Sequence, residues 1–480
     1  MKTISFSLLA LALAGTSLAQ PAAAETLREA LTKAYETNPT LAGFRAGQRA
    51  NDENVPIARS RGLPTLNTSG AYNENIKSAS SSFISPERLV QGQLALSVPL
   101  YTGGAVNSSV KAADARIDAG QSNLRTTESN VFVSVVGAYM DVLRDEAIVG
   151  LNRNQVKVLS TNLEATKDRF EVGDLTRTDV AQSEARLATS QSQLESAEAQ
   201  LISSRERYIQ FVGAPPEGLT QPPELPNMPS SADAAVAKAL DNNPSLAAAK
   251  KFADAARYDI SVARASRLPK LNAFSNAGYI NYLGTLGSFV PGASARQAQN
   301  TLTAGLQATI PLFQGGGPAA QVRQAQARSG QSMEQVIEIE RSIVSQSRSA
   351  YASWSASNAV TVSSQKAVSA NALSLEGVRA ENSVGNRSIL DILNAEQELL
   401  NSKVQLVSAQ RNAYVAGFAL LAAMGQAEAR DLGMEGGALY DPQVNYDRVR
   451  SKLWDWDDDA KPAPVSTRTV DTPAQSPAIR

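Results

Sequence analysis

The chain contains two long stretches that are copies of one another. ALTKAYETNPTL, which begins at Ala30, returns as AVAKALDNNPSL from Ala235, an offset of 205 residues. VGDLTRTDVAQSEARL, which begins at Val172, returns as VGNRSILDILNAEQEL from Val384, an offset of 212 residues. Near-constant offsets over this length indicate an internal duplication whose period is far longer than that of solenoid repeats. The chain must therefore contain two copies of the fold that one repeat forms.

Changes in amino-acid composition and a proline-rich stretch divide the chain into five segments. The start MKTISFSLLALALAGTSLAQPAAAE has an early lysine, an apolar run and small residues before Glu25, a pattern typical of an export signal cleaved after Ala24. The alternative, a membrane anchor, needs about 20 apolar residues, and this run is shorter. We expect a signal peptide over 1–24, a first repeat over 25–212, a proline-rich linker over 213–231, a second repeat over 232–435 and an acidic, disordered tail over 436–480.

Each repeat contains residues that alternate between apolar and polar side chains. In the first repeat Leu94, Leu96 and Val98 alternate with Gln93, Ala95 and Ser97, and a similar alternation covers 301–312 in the second. Period-two alternation is typical of a strand with one apolar and one polar face. Weaker partner strands precede both runs, so the sequence predicts β-hairpins over about 64–101 and about 269–313.

These hairpins cannot form a closed sheet within one chain. A lone hairpin is marginally stable in water, and closing a barrel takes about eight strands. Each chain supplies four predicted strands, so two chains would supply eight and three would supply twelve. Closure therefore requires an oligomer, whose size this reasoning leaves open.

Long helical hairpins are predicted over about 105–212 and about 317–425. No proline interrupts the segment from Ala105 to Phe170, and a helix of that length spans roughly 100 Å at 1.5 Å per residue. The second helix of each hairpin carries apolar residues at seven-residue spacing, which predicts coiled-coil packing: Val180, Leu187, Leu194 and Leu201 in one repeat, and Ile392, Leu399, Leu406, Ala413 and Leu420 in the other.

VGDLTRTD and VGNRSILD are predicted to reverse the helices. Gly173 and Gly385 stand where a residue with positive φ ends the first helix. The next helix is expected to be capped by Thr178 or the flanking Asp174 in the first repeat, and by Ser388 or Asn386 in the second.

VPLYTGG and IPLFQGGG lie between a predicted strand and a predicted long helix. A phosphate-binding loop at this place would need a lysine followed by Ser or Thr, and neither stretch has one. We therefore interpret both as barrel–helix junctions in which proline ends strand pairing and glycine allows a sharp turn. The junction residues are Pro99, Gly103 and Gly104 in the first repeat and Pro311, Gly315 and Gly316 in the second.

The composition argues against catalysis and against nucleic-acid binding. The chain has no histidine and no cysteine, so the commonest zinc ligands and the usual acid–base group at neutral pH are missing. Its net charge is −1, with basic and acidic residues intermixed, and no basic face is evident. We expect no catalytic residue, no metal site, no cofactor and no nucleic-acid partner.

Taken together, these features resemble the TolC family of outer-membrane efflux and secretion channels. The resemblance covers roughly residues 25–432, and its most specific marks are the NP motifs at Asn38 and Asn243, the VPLY and IPLF junctions and the VG turns. It implies a mainly α-helical fold with a transmembrane β-barrel. Four strands from each protomer of a homotrimer would close a twelve-stranded barrel in outer-membrane lipid, and the helical hairpins would form an α-barrel across the periplasm.

The resemblance also assigns a gate at the periplasmic tip. Arg387 matches the basic residue of a latch, and Thr178 and Asp179 match its partners on the neighbouring hairpin. Asp391 matches the outer acidic ring of the pore constriction. The inner ring position is Asn394, which departs from the family's aspartate, and Asn382 stands where a relative has a bracing aromatic residue.

Partners follow from the same resemblance. A periplasmic adaptor (membrane fusion protein) would dock at the tip turns, Val172, Gly173, Val384 and Gly385, and would link the channel to an inner-membrane ABC or RND-type transporter. Drugs or secreted polypeptide would then leave through the channel. The rival interpretation, a periplasmic coiled-coil adaptor or scaffold, predicts one helical hairpin and does not explain two amphipathic β-hairpins.

Overall fold

The computed structural model describes residues 24–77, 86–288, 290, 292–434 and 439–479. The predicted signal peptide, Ala24 apart, lies outside these residues. In the first repeat the elements are α1 (Leu27–Thr37), α2 (Pro39–Asp52), α3 (Asn54–Ser60), β1 (Thr65–Glu74), β2 (Arg88–Tyr101), α4 (Ala105–Glu171) and α5 (Arg177–Val212). The second repeat has α6 (Ala232–Asn242), α7 (Pro244–Ala265), β3 (Lys270–Asn281), β4 (Ala298–Thr309), α8 (Gly317–Ser383) and α9 (Ile389–Ala423), and α10 (Pro442–Val449) follows.

The four strands form one antiparallel sheet in the order β1-β2-β3-β4. The pairing of β2 with β3, which joins the two repeats, sets Leu94 opposite Ala277 and Gln93 opposite Gly278. Because directly opposite residues share a face, the leucines of neighbouring strands lie together on one side of the sheet. That side is exposed in the protomer: Leu96 and Leu302 have 36% and 76% of their surface accessible.

The first long helix has the same length in both repeats. Helices α4 and α8 contain 67 residues each, and each forms a hairpin with the shorter helix that follows it. No helix in the described ranges is both long and apolar enough to cross a membrane.

The seam between α4 and α5 differs from the predicted heptad stripe. Ser183 and Ser190, seven residues apart, are each only 1% exposed, whereas Val180 and Leu187 are half-buried. Leu201, at the end of the predicted stripe, is fully buried, so the stripe is correct at the core end of α5. Toward the tip the buried positions are the small serines, which let two helix backbones approach closely.

The NP motifs begin α2 and α7. Asn38 Oδ1 accepts a hydrogen bond from the backbone N–H of Thr40 at 2.9 Å, and Asn243 Oδ1 accepts one from Ser245 at the same distance. The following proline occupies the first helical turn, where its missing N–H costs nothing. Each asparagine also donates from Nδ2 to the end of the last helix in its repeat, at Phe211 O and Ala423 O, both at 3.0 Å. The motif therefore joins the start of one helix to the end of another.

The largest core lies where α1, α4, α5 and α9 meet. Phe132, Tyr139, Tyr208 and Phe418 are each at most 1% exposed there. The Tyr139 hydroxyl donates to backbone oxygens of Glu25 (3.0 Å) and Thr220 (2.6 Å), so the start of the first repeat and the linker are attached to the long helix.

The prediction of a disordered tail is wrong for the segment that contains α10. This helix packs against α2 and α4, and its Val449 is fully buried. Asn445 Nδ2 donates to the buried carboxylate of Asp52 at 2.7 Å, and the Tyr446 hydroxyl donates to Asp114 at 2.8 Å. Tertiary contacts, which composition cannot reveal, therefore order this part of the tail.

Candidate functional site

Two tight turns connect the long helices at the end of the molecule remote from the sheet. Gly173 and Gly385 both have φ of +83° and lie directly after the C-caps of α4 and α8. The next residues, Asp174 and Asn386, each donate a backbone hydrogen bond of 2.9 Å back to the last helical turn, at Arg169 O and Glu381 O. The predicted positive-φ glycines are confirmed, and a side chain at either position would strain the turn.

Each turn is bridged by one ion pair, with the charges in opposite order. Arg169, at the end of α4, contacts Asp174 at 2.7 Å, whereas Glu381, at the equivalent position of α8, contacts Arg387 at 2.7 Å. All four side chains are about half exposed, so water screens both pairs and each contributes little to stability. The cation of the first pair, Arg169, therefore precedes its turn in the chain, whereas the cation of the second pair, Arg387, follows its turn.

The helices that follow the turns begin with capping boxes. Ser388 Oγ accepts from the backbone N–H of Asp391, and the Asp391 carboxylate accepts from the Ser388 N–H (2.9 Å) and hydroxyl (2.8 Å). Ser388 was one of the predicted caps. In the first repeat the cap is Thr176, paired in the same way with Asp179, so the prediction that Thr178 or Asp174 caps α5 is wrong.

The two aspartates of these boxes have low pKa values. Hydrogen bonds from the side chain and backbone of Ser388 lower the pKa of Asp391, and those from Thr176 lower the pKa of Asp179. Both carboxylates are therefore charged at neutral pH, as a pore constriction or a latch requires.

Within one protomer the predicted latch residues do not meet. Arg387 contacts Glu381, and Asp179 contacts Thr176, while the Thr178 side chain is exposed. The predicted latch of Arg387 with Thr178 and Asp179 on the neighbouring hairpin therefore remains a prediction. The predicted adaptor contacts include the two valines of the turns, which expose large apolar side chains: Val172 is 81% and Val384 is 71% accessible.

Asn394 lies one helical turn beyond Asp391 and joins the two hairpins. Its Oδ1 accepts a hydrogen bond of 2.7 Å from Arg186 of α5. Nearby, the buried Glu396 accepts from Asn162 of α4 (3.2 Å) and Arg379 of α8 (2.9 Å). Sequence reasoning missed Arg186 and Glu396, because an isolated charge on a polar helix carries no signal of its partner on another helix.

The junctions use glycine as predicted, but their prolines differ. Gly104 and Gly316 are the N-caps of α4 and α8, both with φ of +78°, and the preceding Gly103 and Gly315 also have positive φ. Pro311 follows the end of β4. Pro99, however, does not end strand pairing, since β2 continues to Tyr101 with a change of register between the two residues. A bulge of this kind tolerates the missing N–H of proline.

The described residues hold no group of three or more acidic side chains placed to bind a metal ion. What the site offers instead is two exposed turns and two charged helix starts, repeated once within the chain. Such an arrangement suits contact with another protein or with a second protomer.

Comparisons with known proteins connect this arrangement to a family. The family model described as outer membrane efflux protein matches residues 30–214 and 235–426. The outer membrane efflux protein BepC of Brucella suis is 33% identical over 444 residues, which cover 92% of this chain and 94% of BepC. The outer membrane protein TolC of Escherichia coli is 28% identical over 462 residues, covering 92% and 90%. The CmeC outer membrane channel of Campylobacter jejuni, 17% identical, superimposes with a TM-score of 0.73 over 88% of this chain and 89% of CmeC.

Proposed function

The chain belongs to the outer membrane efflux protein family, and on that premise we propose that three protomers form one continuous duct driven by an inner-membrane transporter. As a member of the family the protein is an outer-membrane channel with a periplasmic tunnel, and it is a transport conduit rather than an enzyme. The predicted fold class, mainly α-helical with four strands per protomer, is confirmed.

The proposal of a closed oligomer rests on the unpaired edges of the sheet. Strands β2 and β3, one from each repeat, pair over ten consecutive residues. By the symmetry of the duplication, β4 should pair in the same way with β1 of the next protomer, and within the protomer both strands have one unpaired edge. Unpaired edges are a liability that closure removes. Three protomers, the number that the family resemblance implies, then give a barrel of twelve strands.

The exposed apolar face of the sheet supports its placement in lipid. Leu66, Leu302 and Leu306 each have more than 60% of their surface exposed in the protomer. Contiguous exposed apolar surface of this kind marks an interaction site. The opposite face carries Gln93, Asn276 and Thr303, which suits a water-filled interior.

The packing of the helices below the sheet also supports a closed oligomer. Helix α7 packs between α4 and α8, and Lys251 of α7 contacts Asp118 of α4 at 2.7 Å. In the first repeat α2 and α3, which correspond to α7, pack on α4, and no second long helix among the described residues packs on them to a comparable extent. We infer that α8 of a neighbouring protomer fills that position, so that the helices close into a tube of about 100 Å.

Gating and partner docking belong to the tip. We infer that Arg387 latches to Thr178 and Asp179 of the neighbouring protomer, that Asp391 and Asn394 line the constriction, and that a periplasmic adaptor contacts the turns. The charged carboxylate of Asp391 and the exposed valines at 172 and 384 support this assignment. Drugs are the proposed cargo in view of the efflux name of BepC, and secreted polypeptide is the alternative.

The transport proposal is tested by dye accumulation. Removing the protein from its host should raise the intracellular level of a fluorescent efflux dye several-fold, and re-expression should restore the original level. If accumulation is unchanged while secretion of a polypeptide is lost, the cargo assignment is wrong. If neither changes, the proposed duct is wrong.

Partner docking is tested by crosslinking at the tip. Because the chain has no cysteine, Val384→Cys can carry a single photoreactive label. We expect a covalent product with a periplasmic adaptor, whereas the same label at Val444→Cys on α10, which is exposed but far from the tip, should give none. A trimeric protein that yields no adaptor product from either tip valine would contradict the docking site.

A further inference from the structure

The last part of the chain follows the α4–α5 hairpin away from the core. We define residues 465–479, which contain no helix or strand, as the C-terminal strap. Thr467 lies against the end of α5, where a Cβ added to Gly213 would come within 2.7 Å of the Thr467 hydroxyl. Ten residues later the strap contacts Arg153 of α4 and Arg205 of α5. The strap therefore runs along the helical pair toward the tip.

Arg205 is the main contact of the strap. Its side chain is only 8% exposed, and a buried guanidinium is costly unless its donors are satisfied. Nη1 donates to the backbone oxygens of Ser476 (2.5 Å) and Ala478 (2.9 Å), and Nη2 donates to the Glu146 carboxylate at 2.6 Å. Nε finds no acceptor in the part of the chain that the structure describes. Loss of the strap would leave Nη1 without these two acceptors.

Two further side chains complete the contact. Arg153 Nη2 donates to the backbone oxygen of Pro477 at 3.1 Å and is held in place by Glu198 at 2.6 Å. On α5, Glu206 accepts from the backbone N–H of Gln475 at 3.2 Å. Two arginines and a carboxylate thus bind three backbone acceptors and one backbone donor within residues 475–478, a segment that bends at Pro477.

These bonds recognise backbone and not side chains. The three carbonyl groups belong to Ser476, Pro477 and Ala478, whose side chains are small. Arginine presents several donors in a fixed plane, which suits neighbouring carbonyl oxygens. Any peptide with small side chains that follows the same bent path offers the same acceptors, so the site is not restricted to this sequence.

The strap is poorly packed between its two points of attachment. A cavity of about 440 Å³ lies there, and its lining includes Glu206 and Phe211 on α5 and Thr469 and Thr472 on the strap. Since a close-packed segment would leave no such space, attachment depends on the hydrogen bonds at the Arg153–Arg205 end. A segment held in this way is displaceable.

We propose that the Arg153–Arg205 face is a binding site for peptide backbone, and that the chain's own C-terminal strap occupies it as a displaceable ligand. A peptide segment of a partner protein would gain access only when the strap leaves. The site is therefore self-occluded in the free protein. This inference does not depend on the proposed transport function.

The test follows the mobility of the strap in the full-length protein. A spin label on Ala474→Cys, an exposed position in a chain without cysteine, reports strap motion by electron paramagnetic resonance. We expect an immobilised spectrum, and a several-fold larger mobile fraction after Arg205→Ala. Arg207→Ala is the matched control, because Arg207 lies on the same helix, is 62% exposed and contacts Asp141 rather than the strap.

Competition distinguishes a binding site from a structural contact. A synthetic peptide of residues 465–480, added in excess, should release the labelled strap saturably. The same peptide with Gln475→Pro, which lacks the N–H that contacts Glu206, should release it less well, whereas Ser476→Ala, which keeps every backbone group, should be as effective as the original. A strap that is mobile without any substitution, or one that Arg205→Ala and excess peptide both leave immobile, would overturn the proposal.

Discussion

Arg169 and Glu381 occupy equivalent positions in the two repeats, yet they carry opposite charges. Arg169 pairs with Asp174 before the first turn is complete, and Glu381 pairs with Arg387 just beyond the second. The duplication has therefore kept a turn-bridging ion pair while reversing its direction. In the second turn the cation of this pair, Arg387, lies close enough to the start of the following helix to interact with Asp391.

We predict that Arg387→Ser raises single-channel conductance in planar lipid bilayers, because it removes the cation of the proposed latch. Arg169→Ser is the matched control, since it removes a similarly exposed ion pair from the other turn and should leave conductance unchanged. If the Arg387→Ser protein conducts like the wild type, the latch assignment is wrong.

Asp391 both caps the start of α9 and carries a negative charge, and two substitutions separate these two roles. Asp391→Ala removes both and leaves the Ser388 N–H at the start of α9 without its acceptor. Asp391→Asn removes the charge and keeps an acceptor for Ser388. We predict that both weaken block of the channel by multivalent cations at least several-fold. An unchanged blocking constant for Asp391→Asn would place this carboxylate outside the pore.

The lowered pKa of Asp391 also fixes the direction of a pH effect. Because hydrogen bonds from Ser388 stabilise the carboxylate, Asp391 stays charged at pH values below the usual pKa range of aspartate. Its contribution to cation block is lost only as the pH falls through that lowered pKa. Cation block should therefore be constant between pH 7.5 and pH 5.5.

Among the elements, the long helices could be predicted from sequence and the helix of the tail could not. Helix α4 runs over Ala105–Glu171, within one residue of the predicted Ala105–Phe170, because propensity and turn glycines define it locally. The Thr176 cap could also have been predicted, because T-x-x-D over Thr176–Asp179 is close to the capping-box pattern. Helix α10 has eight residues, too few to be stable alone in water, and its partners are hundreds of residues away.

We predict that Asn445→Ala releases α10. The substitution leaves one oxygen of the fully buried Asp52 without its donor, which costs about 1–3 kcal/mol. Hydrogen exchange measured by mass spectrometry should then show roughly 5- to 150-fold less protection over 442–449. Val444→Ala, at a 68% exposed position of the same helix, should change nothing. Equal protection in the two variants would show that Asp52 does not anchor the helix.

At the scale of the whole molecule, the two junctions differ in what surrounds them. A Cβ on Gly103 would lie 2.9 Å from Leu268 Cβ and 3.0 Å from Ala265 O, whereas one on the equivalent Gly315 would meet nothing within 4 Å. By the symmetry of the duplication, we expect Ser60 and Leu63 of the next protomer, which correspond to Ala265 and Leu268, to lie against Gly315. The junction of the second repeat is thus incomplete in one protomer.

We therefore predict that Gly315→Ala lowers the fraction of trimer in detergent solution. Gly316→Ala is the control, because Gly316 also has positive φ and an open surrounding, so both variants share the backbone strain and only Gly315 meets the neighbour. Size-exclusion chromatography with light scattering gives the trimer fraction. Equal fractions in the two variants would contradict the proposed junction contact.

We infer that one protomer cannot close its own sheet or its own ring of helices. Native mass spectrometry of the protein released from detergent measures the number of chains in the particle. We predict a particle of three chains that is extracted from the outer membrane only with detergent. A monodisperse single chain that stays in solution without detergent would contradict it.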